Sequence, residues 1–332
     1  MNPLRAENLT VRPAFAALER LRVASEALAV GPRVAILIPC YNEACTVAGV
    51  VTAFQAVLPT ATVYVYDNNS TDDTSAQAAA AGAVVRREML QGKGNVIRRM
   101  FADIDADIYV LVDGDGTYDA ASAVRMIDRL LDDDLDMVNA ARDATEDAYR
   151  AGHRFGNKLL TGIVGHIFGN RLTDMLSGYR VFSRRFAKSF PGLAQGFEIE
   201  TELTVHALEL RLPIAEIRAP YGARPPGSAS KLSTIRDGIR VLWTIVVLIK
   251  EERPLPFFGL IAALLAGTSV LLTVPIIITF LETGLVPRVP TAVLATGMMV
   301  LAFLALTCGL ILDTVTRGRR ELKRLHYLSI SK

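Results

Sequence analysis

Only three cysteines, four histidines and one tryptophan stand among the 332 residues. Cys40, Cys45 and Cys308 fit neither a metal-ligand nor a disulfide framework, which leaves reduced thiols in a cytoplasm-facing protein as the simplest account. His153 and His166 have no partners at ligand spacing. No G-x-G-x-x-G or Walker sequence follows any strand-like run, which argues against a dinucleotide enzyme or a P-loop NTPase. Net charge is +2, so nothing in the balance calls for nucleic acid. Residues 1–30 lack a long apolar core and do not read as a signal peptide. Phe15, Leu18, Leu21 and Leu28 instead predict an amphipathic helix in an N-terminal extension over residues 1–32. Charge is absent altogether from Phe257–Leu281 and Thr291–Leu312, runs of 25 and 22 residues. As a helix the first spans about 37 Å, against about 30 Å of bilayer hydrocarbon. Arg317, Arg319, Arg320, Lys323 and Arg324 follow the second run. The positive-inside rule places that tail, and with it the region before residue 254, on the cytoplasmic side of the cell (inner) membrane.

What is present before residue 231 alternates strand, polar cluster and helix. Val34–Ile38, Thr62–Tyr66, Ala83–Val85 and Ile108–Val112 read as buried strands, and the segments between them read as helices. That alternation predicts an α/β domain with a mostly parallel sheet and crossover helices. Its site lies at the strand carboxyl ends. The last of these strands runs into Asp113–Gly114–Asp115–Gly116–Thr117. Residues i and i+2 of a strand share a side, so Asp113 and Asp115 can present two hard oxygen ligands together, suited to Mg²⁺ or Mn²⁺ shared with substrate phosphates. Asp and Gly are also common turn residues, and the other clusters decide between the two readings. Pro39 and Tyr41 offer flat apolar surface for a base. Glu43 can accept from ribose hydroxyls and Asp67 from a nucleobase imide. Lys93, at a Gly-flanked helix start, suits a phosphate; Gly92–Lys93–Gly94 also reads as an ordinary loop.

Taken together, Ile38–Glu43, Asp67–Asp72, Gly92–Gly94 and Asp113–Asp115 resemble, in order and spacing, the family 2 glycosyltransferases of GT-A fold. Asp174–Arg180 and Ser228–Leu232 are similar to segments of the dolichyl- and polyprenyl-phosphate sugar transferases, dolichyl-phosphate mannosyltransferase among them. The resemblance covers residues 33–235. It implies that Asp67 and Glu43 hold the donor nucleoside and that Asp115, with Asp113 beside it, contacts the metal and diphosphate. Many polyprenyl-phosphate members carry a metal-binding Gln where Thr117 stands, so Thr117 becomes a candidate ligand. The Gly-Asp-Gly-Thr-Tyr form resembles a subset with N-acetylhexosamine donors.

A phosphate monoester acceptor is already largely ionised at neutral pH, with a second pKa near ~6. It needs binding and screening rather than a base. Arg142 and Arg180 are the expected bidentate partners, with Ser177 as a hydrogen-bonding helper. Lys231, on a Pro- and Gly-rich loop, is expected to close over the diphosphate. Asp174 is the acidic residue expected near the acceptor. The catalytic set is therefore Asp115, Asp174 and Arg180. Glu198, Glu200 and Glu202 read mainly as helix-start charge, and Arg184 and Arg185 as surface or headgroup contacts.

The expected organisation is the extension (1–32), a GT-A catalytic domain (33–230), an interfacial amphipathic helix carrying Trp243 (231–253), and a membrane domain (254–332). The expected activity is inverting transfer of a sugar from a nucleotide donor to polyprenyl or dolichyl phosphate. UDP-sugars of the GlcNAc or Glc type are favoured over GDP-mannose. Nucleotide sugar, lipid phosphate and bilayer are the expected partners, in a chain compatible with a homo-oligomer. Two other readings stay open: transfer to a hydroxyl acceptor in glycolipid or polysaccharide synthesis, and a non-catalytic membrane scaffold that only binds a nucleotide sugar.

Overall fold

The computed structural model describes residues 31–144, 161–162, 165, 172–194, 196, 198–225 and 234–331. The amphipathic helix expected before residue 31 and the loop bearing Ser228–Lys231 lie outside the described residues.

Strands β1 (Val34–Cys40), β2 (Thr62–Asp67), β3 (Val84–Arg87), β4 (Ile108–Leu111), β5 (Met137–Ala144), β6 (Arg180–Ser183) and β7 (Ile214–Tyr221) form one seven-stranded sheet in the order β3-β2-β1-β4-β6-β5-β7. β6 runs antiparallel between β4 and β5, and the other pairings are parallel. The third strand lies at Val84–Arg87 rather than at 83–85, and β5, β6 and β7 complete the sheet. Helices α1 (Val47–Val57), α2 (Thr74–Ala80), α3 (Lys93–Asp103), α4 (Ser122–Asp132), α5 (Arg184–Ser189) and α6 (Ile199–Glu209) cover the two faces.

Strand alternation builds two cores. Ala35 and Leu37 of β1 and Tyr109 and Leu111 of β4 face a core closed by Ile97 and Met100 of α3, Phe186 of α5 and Leu203 of α6. Ile36, Ile38, Ile108 and Val110 face the opposite core, closed by Val51 and Phe54 of α1 and Met126 of α4. Apolar side chains on both faces of a strand are what a sheet with helices on both sides requires.

Every residue of α6 is buried, so its polar side chains must find partners inside the protein. Glu202 accepts from the backbone N–H groups of Leu193 and Ala194 at 2.9 and 2.7 Å. Glu200 pairs with Lys93 and Glu209 with Arg320 and Lys323. Glu200 and Glu202 are thus internal ligands rather than solvated helix-start charge. His206 sits edge-on to the rings of Phe186 and Phe190, and its Nδ1 has no hydrogen-bond partner among the described residues. Burial, reinforced by the Lys323 charge and opposed by Glu209, pushes its pKa down to about 4. An unfolded imidazole takes up its proton near ~6.5. The neutral buried form therefore adds stability in full above that pH, and the contribution is lost as pH falls from there toward 4. The expected result is a melting temperature that declines across this window in wild type and declines less in His206→Leu, read by thermal unfolding in detergent.

Helix α7 (Thr234–Glu252) leads to α8 (Pro254–Thr283) and α9 (Val289–Ser329). The two long helices have apolar windows of mean hydropathy 2.4 and 2.2 that are only 17% buried. A core helix of a soluble protein would be covered, whereas these expose Leu264, Leu271, Phe303 and Leu304. They are long and apolar enough to cross a membrane. They pack against each other along Ala262, Ser269 and Ile276 on one helix and Ala295, Ala302 and Gly309 on the other. Each series repeats every seven residues, the period of a left-handed helix pair. The apolar run expected to end at Leu312 continues as one helix to Ser329.

Candidate active site

The carboxyl ends of β1 and β4, the start of α3, the start of α6 and the segment after β7 surround a cleft of about 370 Å³. Pro39, Tyr41, Glu43, Lys93, Asp113, Asp115 and Arg142 all line it, as do Asn68, Tyr118, Glu200, Tyr221 and Arg224.

Local sequence explains how the two aspartates are held. β4 stops at Leu111, and Gly116 turns the chain with φ +73°. A Cβ at Gly114 would lie 2.6 Å from the Cys40 thiol, and one at Gly178 would collide with the Asp113 carboxylate. Only glycine lets these backbones close on the cleft floor. Asp115 Oδ1 accepts from the Thr117 amide at 3.1 Å and from the Thr117 hydroxyl at 2.6 Å. Its Oδ2 lies 2.6 Å from Arg224 Nη2. Thr117 is buried and does not line the cleft; its hydroxyl is spent on orienting Asp115, so it stands as that residue's support rather than as a metal ligand.

Lys93 does not wait at the surface for a phosphate. Its Nζ lies 2.5 Å from Asp113 Oδ1 and 2.5 Å from Glu200 Oε1. Against the cost of burial, these two carboxylates hold the ammonium above its ordinary pKa. Glu200 is pushed up by burial and by Asp113, with Lys93 acting in the other direction. The cleft floor is therefore a carboxylate–ammonium–carboxylate chain.

Four expected residues stand elsewhere. Asp67 is 1% exposed and does not reach the cleft: its Oδ1 accepts from the Ser70 amide at 3.0 Å and its Oδ2 from the Ser75 hydroxyl at 2.8 Å. Its neighbour Asn68 lines the cleft and ties down residues 88–92, donating to the Glu88 and Leu90 carbonyls and accepting from the Gly92 amide. Arg180 is fully buried; its guanidinium donates to the Ser177, Met175 and Glu200 carbonyls and to the Thr204 hydroxyl. Burial lowers its pKa to about 10. It staples β6 to α6, and its donors are taken up inside the protein rather than turned to the cleft. Ser177 is also fully buried and outside the cleft lining. Asp174 accepts twice from the Arg142 guanidinium, at 2.7 and 2.8 Å, and from the Arg142 amide at 3.1 Å. It therefore orients Arg142, which also lies over the Tyr221 ring at 5.6 Å. Lys231 lies outside the described residues.

Sequence reasoning gave Arg224 no role and Glu200 hardly any. Glu200 had a signal, because Ile199–Glu209 offers no continuous polar face to solvent. Arg224 had none. It is delivered by an antiparallel bridge between Tyr118 and Tyr221 and a hydrogen bond from the Gly222 amide to the Thr117 carbonyl at 2.9 Å.

Residues 35–190 match the family model described as glycosyl transferase family 2. Over 229 residues the chain is 35% identical to glycosyltransferase AglJ of Haloferax volcanii, an alignment covering 68% of this chain and 75% of that protein. The chain belongs to glycosyl transferase family 2. It is also 56% identical over 155 residues to an uncharacterized Shigella flexneri protein, covering 47% of this chain and 95% of that one. Crystal structures of Mycobacterium tuberculosis glucosyl-3-phosphoglycerate synthase share the fold. The complex with Mn²⁺, uridine diphosphate and glucosyl-3-phosphoglycerate superposes with a TM-score of 0.55 at 22% identity, covering 66% of this chain and 80% of that one.

A divalent cation can be tested against this family 2 cleft by its donors. Among the described residues no cluster of three His, Cys, Asp or Glu is assembled. Two carboxylates on the floor of a cleft are a donor set for Mg²⁺ or Mn²⁺, which take one or two protein carboxylates and complete their shell from substrate oxygens and water. Asp113 and Asp115 fit; the cations now beside them, Lys93 and Arg224, show that the site is built to hold positive charge.

Proposed function

We propose that this chain is an inverting glycosyltransferase that moves a hexose, from a UDP-sugar ahead of a GDP-sugar, to a polyprenyl or dolichyl phosphate at the cytoplasmic membrane face. The observation that carries the reading is the joining of two features in one chain. A cleft with Asp113, Asp115 and an oriented Arg142 stands on a domain tethered by two bare apolar helices. The preceding α7 exposes Leu242, Trp243 and Val246, an apolar stripe suited to the interface.

Pro39 and Tyr41 provide the surface for the base and Glu43 the acceptor for ribose hydroxyls. Asp113 and Asp115 would hold the divalent ion, whose chemistry is to neutralise the departing diphosphate. Arg224 then exchanges its contact with Asp115 for the diphosphate, adding a second cation to the leaving group. Arg142, held by Asp174, grips the lipid phosphate and screens its repulsion from the donor. One phosphate oxygen attacks C1 of the sugar from the face opposite the diphosphate. The new C1–O bond forms as the old one breaks, the electron pair leaves with the nucleoside diphosphate, and the anomeric configuration inverts. No proton has to be removed.

The test is a reconstitution. Purified protein in liposomes with a long-chain polyprenyl phosphate, Mn²⁺ and a panel of UDP- and GDP-sugars should give one glycosyl phospholipid by mass spectrometry. Donor consumption that depends on a hydroxyl acceptor and ignores lipid phosphate would sink the assignment. Glu200 favours that second reading: it is a buried carboxylate on the cleft wall with a raised pKa, as a general base for a hydroxyl requires. The two readings separate in Glu200→Gln. A base would cost turnover about 10²-fold or more and abolish the acidic limb of the pH–rate profile, whereas a phosphate acceptor leaves that limb in place.

A further inference from the structure

Helix α9 is twice as long as a bilayer requires. Its 41 residues extend about 61 Å, against about 30 Å of hydrocarbon. The surplus is the basic segment after Leu312, and it lies along the soluble domain, bonded to it turn after turn. The Thr316 hydroxyl and Arg319 Nη2 donate to the Glu251 carbonyl at 2.9 and 3.1 Å, and Arg320 Nη2 donates to the Glu252 carbonyl at 3.3 Å. These carbonyls are at the end of α7, where a helix is negative and favours cations. Lys323 Nζ then reaches Glu209 of α6 at 2.8 Å and Glu252 of α7 at 3.1 Å. The Glu209 and Glu252 side chains are only 2% and 8% exposed, so this is an internal junction of three helices and not a surface pair. One turn on, the Tyr327 hydroxyl donates to Asp136 Oδ2 at 2.7 Å. Arg185 lies over the Tyr327 ring and donates to the Ile330 carbonyl at 3.0 Å. Tyr327 packs on the same core that contains Ile199 and Leu203.

The junction grips a functional element. Helix α6 carries Glu209 at its outer end and Glu200, on the cleft wall, at its inner end. We infer that the extramembrane part of α9 is a strut that fixes the height and tilt of the cleft over the bilayer, and that Lys323 and Tyr327 are positioning residues for transfer to a membrane-embedded acceptor. The inference rests on the acceptor proposed above. A single connection through α7 would let the domain swing about one point. A second connection, running back from the membrane to the outer end of α6 and on to Arg185 of α5, removes that freedom. A lipid phosphate confined to one plane then meets Arg142 in a fixed geometry, which is how orientation contributes to rate.

The experiment uses the full-length chain and the double variant Lys323→Ala/Tyr327→Phe, with Arg185→Ala as a milder second variant. Three quantities are measured: transfer to long-chain polyprenyl phosphate in liposomes, transfer to a ten-carbon terpenyl phosphate in detergent micelles, and the Kd for UDP. A strut predicts a fall of about tenfold or more in liposome kcat/KM, following from lost orientation, with micellar transfer and UDP affinity within about twofold of wild type. Equal losses in both assays would make the segment a general stabiliser, and no loss in either would make it idle; each overturns the inference. Electron-resonance distances between spin labels at Leu193→Cys and Val286→Cys, with the native cysteines replaced, supply a readout that needs no acceptor. One narrow distribution is expected in otherwise wild-type protein and a broadened one in the variants. A distribution already broad in wild type overturns the strut. Wild-type protein inactive on both phosphates but narrow in distance would instead overturn the acceptor.

Discussion

Asp115→Ala is expected to lower sugar transfer by about 10³-fold or more, the scale of losing a metal-held or preorganised electrostatic contact to the leaving group. The structure says why this residue outranks its neighbour. The Asp115 side chain is 5% exposed and aimed by two hydrogen bonds from Thr117, whereas the Asp113 side chain is 28% exposed and shares the Lys93 ammonium with Glu200. The protein should still fold. Arg224, the cation left behind, keeps 28% of its side chain in solvent and can be hydrated, so the stability loss should not exceed about 2 kcal/mol. Turnover at saturating Mn²⁺ and a thermal melt of the same sample check both halves. Activity near wild type would remove Asp115 from the mechanism.

Lys93→Met should act mainly on stability. It leaves Asp113 and Glu200 facing each other on the cleft floor with no cation between them. Breaking a buried charge group by deleting one partner costs about 3–5 kcal/mol, equivalent to a melting-temperature drop on the order of 10 °C for a domain of this size. The compensating change is Glu200→Gln in the same protein, which removes one of the two stranded charges and should recover more than half of the drop. Differential scanning calorimetry of the two variants decides the matter: a single variant that melts with wild type would mean that solvent, not Lys93, neutralises these carboxylates. Donor binding should weaken in both variants, because the ammonium that holds Asp113 on the cleft floor is gone from each.

Reading the sequence located the α/β alternation, the strand ends that carry the cleft and the two apolar helices, because each is a local pattern. Asp113 and Asp115 could be placed from the run Ile108–Val112 before them, and Tyr41 and Glu43 from the strand end that precedes them. The same patterns could not say which polar residues face the cleft and which face inward. Arg180 looks like a phosphate ligand in sequence, but it enters β6, an antiparallel strand in the middle of the sheet, and its guanidinium turns inward toward three carbonyls and a hydroxyl. Asp67 looks like a base-binding residue, but the turn after β2 folds its own Ser70 and Ser75 onto it.

Chemistry that a few neighbouring residues carry was therefore determined by the sequence alone: family 2 membership in its motifs, the fold class in its periodicity, the candidate spans in their length and lack of charge. Chemistry that depends on residues far apart was decided by the tertiary structure. The Lys93–Glu200 pair, separated by 107 positions, the Arg224–Asp115 contact and the return of α9 onto α6 arise only when the sheet closes. Burial then forces each charged group to take whatever partner the fold brings within reach.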